Sequence, residues 1–169
     1  RVRVVRWPHP FNYSAINNHA ARFASGEYLC LLNNDIEVIE PRWLTELVRE
    51  AVQPNVGAVG ARLLYSDRSL QHAGVAIGIG NAAGHVHRGL PLGGPGYFAP
   101  ALIARGTSAV TGACLLVSKR HFDAVGGLDE AGLAVAYNDV DLCLKLVGHG
   151  LSNIYTPAST LIHHESKSR

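Results

Sequence analysis

Short apolar runs alternate with polar tips along this chain, and the apolar period switches repeatedly between that of a strand and that of a helix. Tyr28–Leu32 (YLCLL) is a continuous apolar run of strand length, the pattern of a strand covered on both faces in a parallel or mixed sheet. Upstream, residues 2–6 are β-branched enough for a strand, which Trp7-Pro8-His9-Pro10 ends because proline lacks a backbone donor. Between the two, Ser14 is a candidate N-cap for a helix over 15–24, with Ile16, Ala20 and Phe23 at helical spacing and Gly26 closing it. Downstream, Pro41 suits a first helical position, and Trp43, Leu44, Leu47, Val48 and Ala51 form a stripe that stops at Pro54. Residues 56–64 read as the next strand. Residues 70–99 turn rich in Gly and Pro, predicting a long loop with a short strand over 75–79. A buried strand follows over 110–117, then a short helix over 119–125 ended by Gly126-Gly127. Asn138, with Asp141 three residues on, predicts an N-capped helix through Leu142, Leu144, Leu146 and Val147 to the glycines at 148 and 150. Two short strands, 153–156 and 159–162, flank Pro157, and the second delivers His163 and His164. The pattern predicts an α/β fold: a mixed sheet flanked by helices.

At 169 residues the chain is long enough for one domain with a substantial core. Its net charge of +2 is spread over scattered Arg and Lys, so no nucleic-acid footprint is expected. No apolar run approaches the roughly 20 residues that span a bilayer and no leader pattern opens the chain, so the expected location is the cytoplasm, at most peripheral to the inner membrane face. The three cysteines lack C-x-x-C spacing and sit in apolar segments, which predicts buried free thiols. The lack of Met and the opening on a strand pattern point to a piece of a longer polypeptide.

Three polar clusters stand at element ends: Asn33-Asn34-Asp35, Asn138-Asp139-Val140-Asp141 and His163-His164. In open α/β sheets ligands bind beyond the carboxyl ends of strands, so one site can use all three; the competing reading of the first cluster is a plain turn. An Asp oxygen and a His nitrogen, completed by phosphate oxygens from a ligand, suit Mg2+ or Mn2+ better than Zn2+. Asp139 falls in a first helical turn, where the macrodipole and free amides favour an ionised carboxylate able to accept a proton, as a general base does. Successive strand residues face opposite sides, so only one of His163 and His164 can enter such a site. His85 and His87 form an H-x-H pair in the Gly-rich loop, and His72 has no partner visible in the sequence.

The segments PFNYSAINN (10–18), GEYLCLLNNDIEVI (26–39), HAGVAIG (72–78), VTGACLLVSKRHFDAVGGLDE (110–130), NDVDLCLKL (138–146) and HHES (163–166) resemble family 2 glycosyltransferases, in particular bacterial rhamnosyltransferase-like members. The resemblance covers nearly the whole chain and lies in several segments in the right order. It implies a GT-A fold, Rossmann-like, that transfers a sugar from a nucleotide-activated donor with inversion. It matches Asn33-Asn34-Asp35 to the metal-binding D-x-D motif, Asp139 to the base of the E-D motif and His163, rather than His164, to a later metal ligand. It sets Thr111 and Gly112, with Asn138, where relatives shape the donor and acceptor cleft, and Asn18 in the helix that borders the nucleotide. Asn33 and Asn138 replace acidic residues of the two motifs, so each cluster carries one charge fewer. The first nucleotide-binding strands of the family have no match, so the resemblance makes residues 1–169 the later part of the catalytic domain.

The implied cofactor is a divalent cation, Mn2+ or Mg2+. The implied partners are a dTDP- or UDP-sugar donor, a glycan or lipid-linked acceptor and, over an uncovered sheet edge, a second copy of the chain. Two other classes stay open at this point. One is a binding module that holds a nucleotide sugar or glycan without turnover, suggested by the lost acidic residues; the other is metal-assisted phosphoester hydrolysis, for which carboxylates are few.

Overall fold

A computed structural model describes residues 2–165. In chain order the elements are α1 (Tyr13–Ala21), β1 (Tyr28–Leu32), β2 (Ile36–Val38), α2 (Trp43–Ala51), β3 (Val56–Leu64), β4 (Leu70–His72), β5 (Val75–Ile77), β6 (Ala83–His85), β7 (Arg105–Thr107), β8 (Cys114–Ser118), α3 (Lys119–Ala124), α4 (Asn138–Gly148) and β9 (Ser152–His163). The main sheet runs β1-β8-β3-β9-β2, with β4 added to β3 and β7 to β9, while β5 and β6 form a separate hairpin. β3 and β9 are parallel and the other pairs antiparallel, which makes the sheet mixed.

Helices cover both faces of the sheet. On one, Leu29, Leu31, Leu115 and Val117 pack with Phe122 of α3 and Leu142, Cys143 and Leu146 of α4. On the other, Leu47 and Ala51 of α2 pack on Val59, Leu63, Leu116 and Leu161. The strands alternate accordingly, Leu29 and Leu31 to one core, Tyr28 and Cys30 toward the other. Leu47, Leu142 and Leu146 are fully buried, each contributing roughly 1.5–3 kcal/mol of apolar transfer. A third cluster, around Leu64, Leu70, Tyr155 and Ile162, seats β4 against the end of β9.

Several expectations change. Residues 2–6 form no strand: among the described residues no neighbouring strand takes their backbone, and Val2 and Val4 stand exposed. β1 has its predicted bounds but pairs antiparallel with β8 alone, so it is an edge among the described residues. The cap of α1 is Asn12, whose side chain accepts from the Ala15 amide, whereas Ser14 lies buried in the first turn and donates to Leu133 O at 2.6 Å. Asn138 is likewise inside α4, which follows Tyr137 in left-handed backbone at φ 60°. The long loop over 70–99 contains β4, β5 and β6. The strand expected from residue 110 starts at Cys114, directly after a turn at residues 112–113 in which the Cys114 amide donates to Thr111 O. The two expected C-terminal strands are one, β9, with a bulge: Ala61 pairs with Thr156 and Arg62 with Thr160. Cys30, Cys114 and Cys143 are free, the last two buried, and burial pushes the Cys143 thiol up to about 12. No helix of the described residues is long and apolar enough to cross a membrane. Ser166, the last residue of HHES, lies outside the described residues.

Gly60 of β3 leaves no room for a side chain, since a Cβ there would meet Val110 Cβ at 2.5 Å. Gly60→Ala is expected to destabilise the chain by about 1–3 kcal/mol through overpacking. A lower midpoint in urea denaturation checks it; an unchanged midpoint contradicts the packing described.

Candidate active site

The antiparallel pairing of β2 with the end of β9 fixes the first half of the site. Ile36 lies opposite His163, and the His164 amide donates to Asp35 O at 3.0 Å, so Asp35 and His163 must be neighbours. Asp35 Oδ1 comes to 3.1 Å from His163 Nε2. The same Nε2 is 3.4 Å from Asn33 Nδ2, and the Asn33 amide is tied back to Ala113 O at 3.0 Å. Asp35 Oδ1 is buried and makes no hydrogen bond among the described residues. His163 Nδ1 lies 2.7 Å from Oε1 of the buried Gln71. His164 faces the other way, contacting Glu37 Oε2 at 2.8 Å and Ser66 Oγ at 2.9 Å.

These groups can accommodate a cation. Octahedral Mg2+ with bonds of about 2.1 Å needs neighbouring ligand atoms about 3.0 Å apart. The Asp35 and His163 donors, an orphaned carboxylate oxygen and an imidazole nitrogen, meet that spacing at 3.1 Å. Among the described residues no group of three or more His, Cys, Asp or Glu forms a complete cage. Further ligands must come from solvent or substrate.

The second half is built on the turn before β8. Asp139, in the first turn of α4, accepts from the Gly112 amide through Oδ2 at 2.8 Å and from the Val140 amide through Oδ1 at 2.8 Å. Tyr13 opens α1 and donates to Gly112 O at 3.0 Å. Gly112 is therefore gripped on both sides, and a Cβ there would stand 3.0 Å from Tyr13 Oη and 3.5 Å from Asp139 Cβ. Burial first, and then the Asp139 charge, push the Tyr13 hydroxyl up to about 12.

Both halves line one cleft of about 740 Å³, walled also by Thr111, Asn34, Asn138, Asn17 and His85. Of the residues singled out in the sequence, Asn33, Asn34, Asp35, Thr111, Gly112, Asn138, Asp139 and His163 share this cleft. Asn18 does not: its amide braces Leu128 and Glu130 with bonds of 2.8–2.9 Å, while Tyr13 and Asn17, one turn apart, take the cleft-facing side of α1.

Four contributors have no role in this site assigned from the sequence: Tyr13, Gln71, His72 and His85. His85 does not pair with His87. Its Nδ1 is 2.8 Å from Nδ1 of the fully buried His72, whose Nε2 accepts from the Gly74 amide at 3.3 Å. Burial lowers both imidazoles, His72 well below the usual range with help from His85 and Arg105, and His85 against the opposing charge of Asp139. The one available signal was LQHAG itself, a polar pair inside an otherwise apolar, strand-length stretch.

Residues 1–125 match the family described as glycosyl transferase family 2. The chain is 52% identical over 169 residues to the uncharacterized protein y4gI of Sinorhizobium fredii, covering all of this chain and 19% of that protein. It is 46% identical over 170 residues to the O-antigen biosynthesis protein RfbC of Myxococcus xanthus, covering all of this chain and 13% of that one. It thus spans about a fifth or less of the length of these curated relatives. Among solved structures, it superposes on the mannosyltransferase PcManGT of Pyrobaculum calidifontis, in complex with GDP-Man and Mn2+, with a TM-score of 0.68 at 17% identity, covering 97% of this chain and 39% of that one. GalNAc-T7 with UDP, GalNAc and Mn2+ gives 0.74 at 14% identity, over 94% of this chain and 31% of that one. Both neighbours are GT-A glycosyltransferases, and the mixed sheet with helices on both faces is that fold.

The Tyr13 environment has a measurable consequence. Its proton is held more tightly in the folded chain, at about 12, than at the ordinary value of 10.0, so this contribution to stability is complete below pH 10 and is lost as pH rises toward 12. Spectrophotometric titration of the folded chain should leave Tyr13 and Tyr155 protonated until about pH 12, and Tyr13→Phe should remove one of the two late transitions. Normal titration of all tyrosines in the folded state contradicts the described burial.

Proposed function

The chain belongs to glycosyl transferase family 2, and from that premise we propose that it forms the later part of a GT-A catalytic domain of an inverting enzyme. In this reading residues 1–169 carry the base and the cation site, and the sugar moves from a nucleoside-diphosphate donor to a hydroxyl acceptor. The observation that carries the proposal is the joint position of Asp139 and the Asp35–His163 pair on the walls of one cleft.

Asp35 and His163 would hold a divalent cation, Mn2+ or Mg2+, with Asn33 and Asn34 beside it. When bound, that ion neutralises charge on the diphosphate leaving group. Asp139 accepts the proton of the attacking hydroxyl, and Gly112 N–H and the start of α4 hold its carboxylate in place for that transfer. Tyr13 anchors Gly112 through its carbonyl, steadying the backbone whose amide donates to the base. Thr111 and Asn138 bound the space where donor and acceptor meet. Attack from the face opposite the leaving group is a single displacement and inverts the anomeric centre.

The donor we propose is a dTDP- or UDP-sugar. Nucleotide ligands with Mn2+ in the two fold neighbours support the class, though one of them carries GDP-Man. The acceptor we propose is a glycan or lipid-linked saccharide of the cell envelope, met at the cytoplasmic face of the inner membrane; the name of the Myxococcus relative supports that direction. Asn33 and Asn138, each standing where the family motif is acidic, favour one second reading, a domain that binds nucleotide sugar without turning it over.

Asp139→Asn in the full-length protein is expected to lower transfer by about 10²–10⁴-fold while nucleotide affinity is kept. Transfer is followed by glycoside product, affinity by titration calorimetry with UDP and dTDP, each with and without Mn2+. Undiminished turnover refutes the role of Asp139. Metal-dependent nucleotide binding without any transfer by the unaltered protein supports the binding module instead.

A further inference from the structure

The two histidines on the cleft wall are each held by a residue of β4, Gln71 for His163 and His72 for His85. We propose that β4 sorts them by tautomer: Gln71 presents His163 as a lone-pair donor to a divalent cation, and His72 presents His85 as an N–H donor that cannot ligate one. The cation half rests on the proposed metal role of Asp35 and His163; the tautomers themselves do not.

The orientation of the Gln71 amide follows from its two ends. Its Nε2 donates to His163 O at 3.3 Å and to Glu165 Oε2 at 3.4 Å. Flipped, the amide would aim an oxygen at two acceptors, so Oε1 faces the imidazole. An amide oxygen only accepts, and at 2.7 Å it requires the proton on His163 Nδ1. When the ring is neutral, Nε2 is then the bare nitrogen. Asn33 Nδ2, a donor, approaches that atom at 3.4 Å, while Asp35 Oδ1 faces it at 3.1 Å without a hydrogen bond. Two lone pairs converging on one point are stable together only with positive charge between them. A ring nitrogen held by a hydrogen bond from behind is the arrangement that orients imidazole ligands and raises their basicity.

The second pair runs the opposite way. His72 Nε2 accepts from the Gly74 amide, so the His72 proton sits on Nδ1 and is donated to His85 Nδ1 at 2.8 Å. That places the His85 proton on Nε2. Protonating His85 further would oppose two N–H groups across 2.8 Å, and complete burial beside Arg105 keeps His72 neutral. The charged groups that act on His85 are Asp139, Arg88 and Glu165, with His163 across the cleft. His85 Nε2 can therefore give a hydrogen bond to an oxygen acceptor, but it has no lone pair to offer.

Imidazole ¹H–¹⁵N correlation spectra of the metal-free chain test the assignment directly. The expected spectrum shows His163 as Nδ1–H and His85 as Nε2–H, and on adding Mg2+ only the His163 Nε2 resonance moves while the His85 N–H survives. Gln71→Met, close in volume but unable to accept, is expected to weaken Mn2+ binding about 10–100-fold, measured by electron paramagnetic resonance with UDP or dTDP present. Inverted tautomers, a His85 nitrogen that moves with Mg2+, or a folded Gln71→Met chain with unchanged Mn2+ affinity overturn the proposal and leave the transferase reading intact. If the unaltered chain takes up no Mn2+ even with nucleotide, the cation half falls together with the reading it rests on. Should Gln71→Met fail to fold in a thermal melt, the spectrum of the unaltered chain decides alone.

Discussion

The short ladder between β2 and the end of β9 is the contact on which the site depends. Three backbone pairs, Ile36 with His163, Glu37 with Ile162 and Val38 with Leu161, bring the polar tip after β1 against the last residues of β9. These segments lie more than a hundred residues apart in the chain, and neither side chain of the Asp35–His163 pair has long reach. Their approach to 3.1 Å is a backbone property first. The side chains then refine it, Gln71 from behind the ring and Asn33 from beside it.

A comparable economy governs the other wall. One residue, Gly112, receives Tyr13 on its carbonyl and gives its amide to Asp139, so α1, the turn before β8 and the start of α4 meet at one point. A side chain at 112 would press on the Tyr13 hydroxyl, with a Cβ 3.0 Å from Oη, so glycine leaves that bond undisturbed. The Asn33 amide bonded to Ala113 O continues the same connection to the first wall. Both walls are thus parts of one hydrogen-bonded frame.

Much of this was legible in the residues. The apolar runs located β1, β3, α2, α3 and α4 closely, because each buries a continuous stripe or face that its period reveals. Asp35, Asp139 and His163 were visible as polar residues arriving where elements begin or end. The misses have distinct causes. Residues 2–6 have strand composition but, among the described residues, no neighbour to pair with, and pairing is a property of the whole sheet that a local pattern does not contain. Ser14 and Asn138 have the chemistry of caps, but the chain turns one or two residues earlier, at Asn12 and Tyr137. Gln71 and His72 gain their meaning from His163 and His85, which lie 92 and 13 residues away, and no spacing rule connects such partners. Asn18 shares a helix with cleft residues but sits on its other side.

The bulge in β9 has a further meaning. Between Thr156 and Thr160 the strand advances four residues while β3 advances one, from Ala61 to Arg62. Beyond that point the ladder is regular again, so the phase of everything downstream is set there. Because adjacent strand residues face opposite sides, a slip of one residue past the bulge would exchange the two consecutive histidines. His164, now bound to Glu37 and Ser66 on the outer side, would turn inward, and His163 would leave Gln71 behind. Pro157, Ala158 and Ser159 touch no cleft residue's chemistry, yet their number selects which imidazole the cleft receives, much as the offset of a vernier selects which lines coincide.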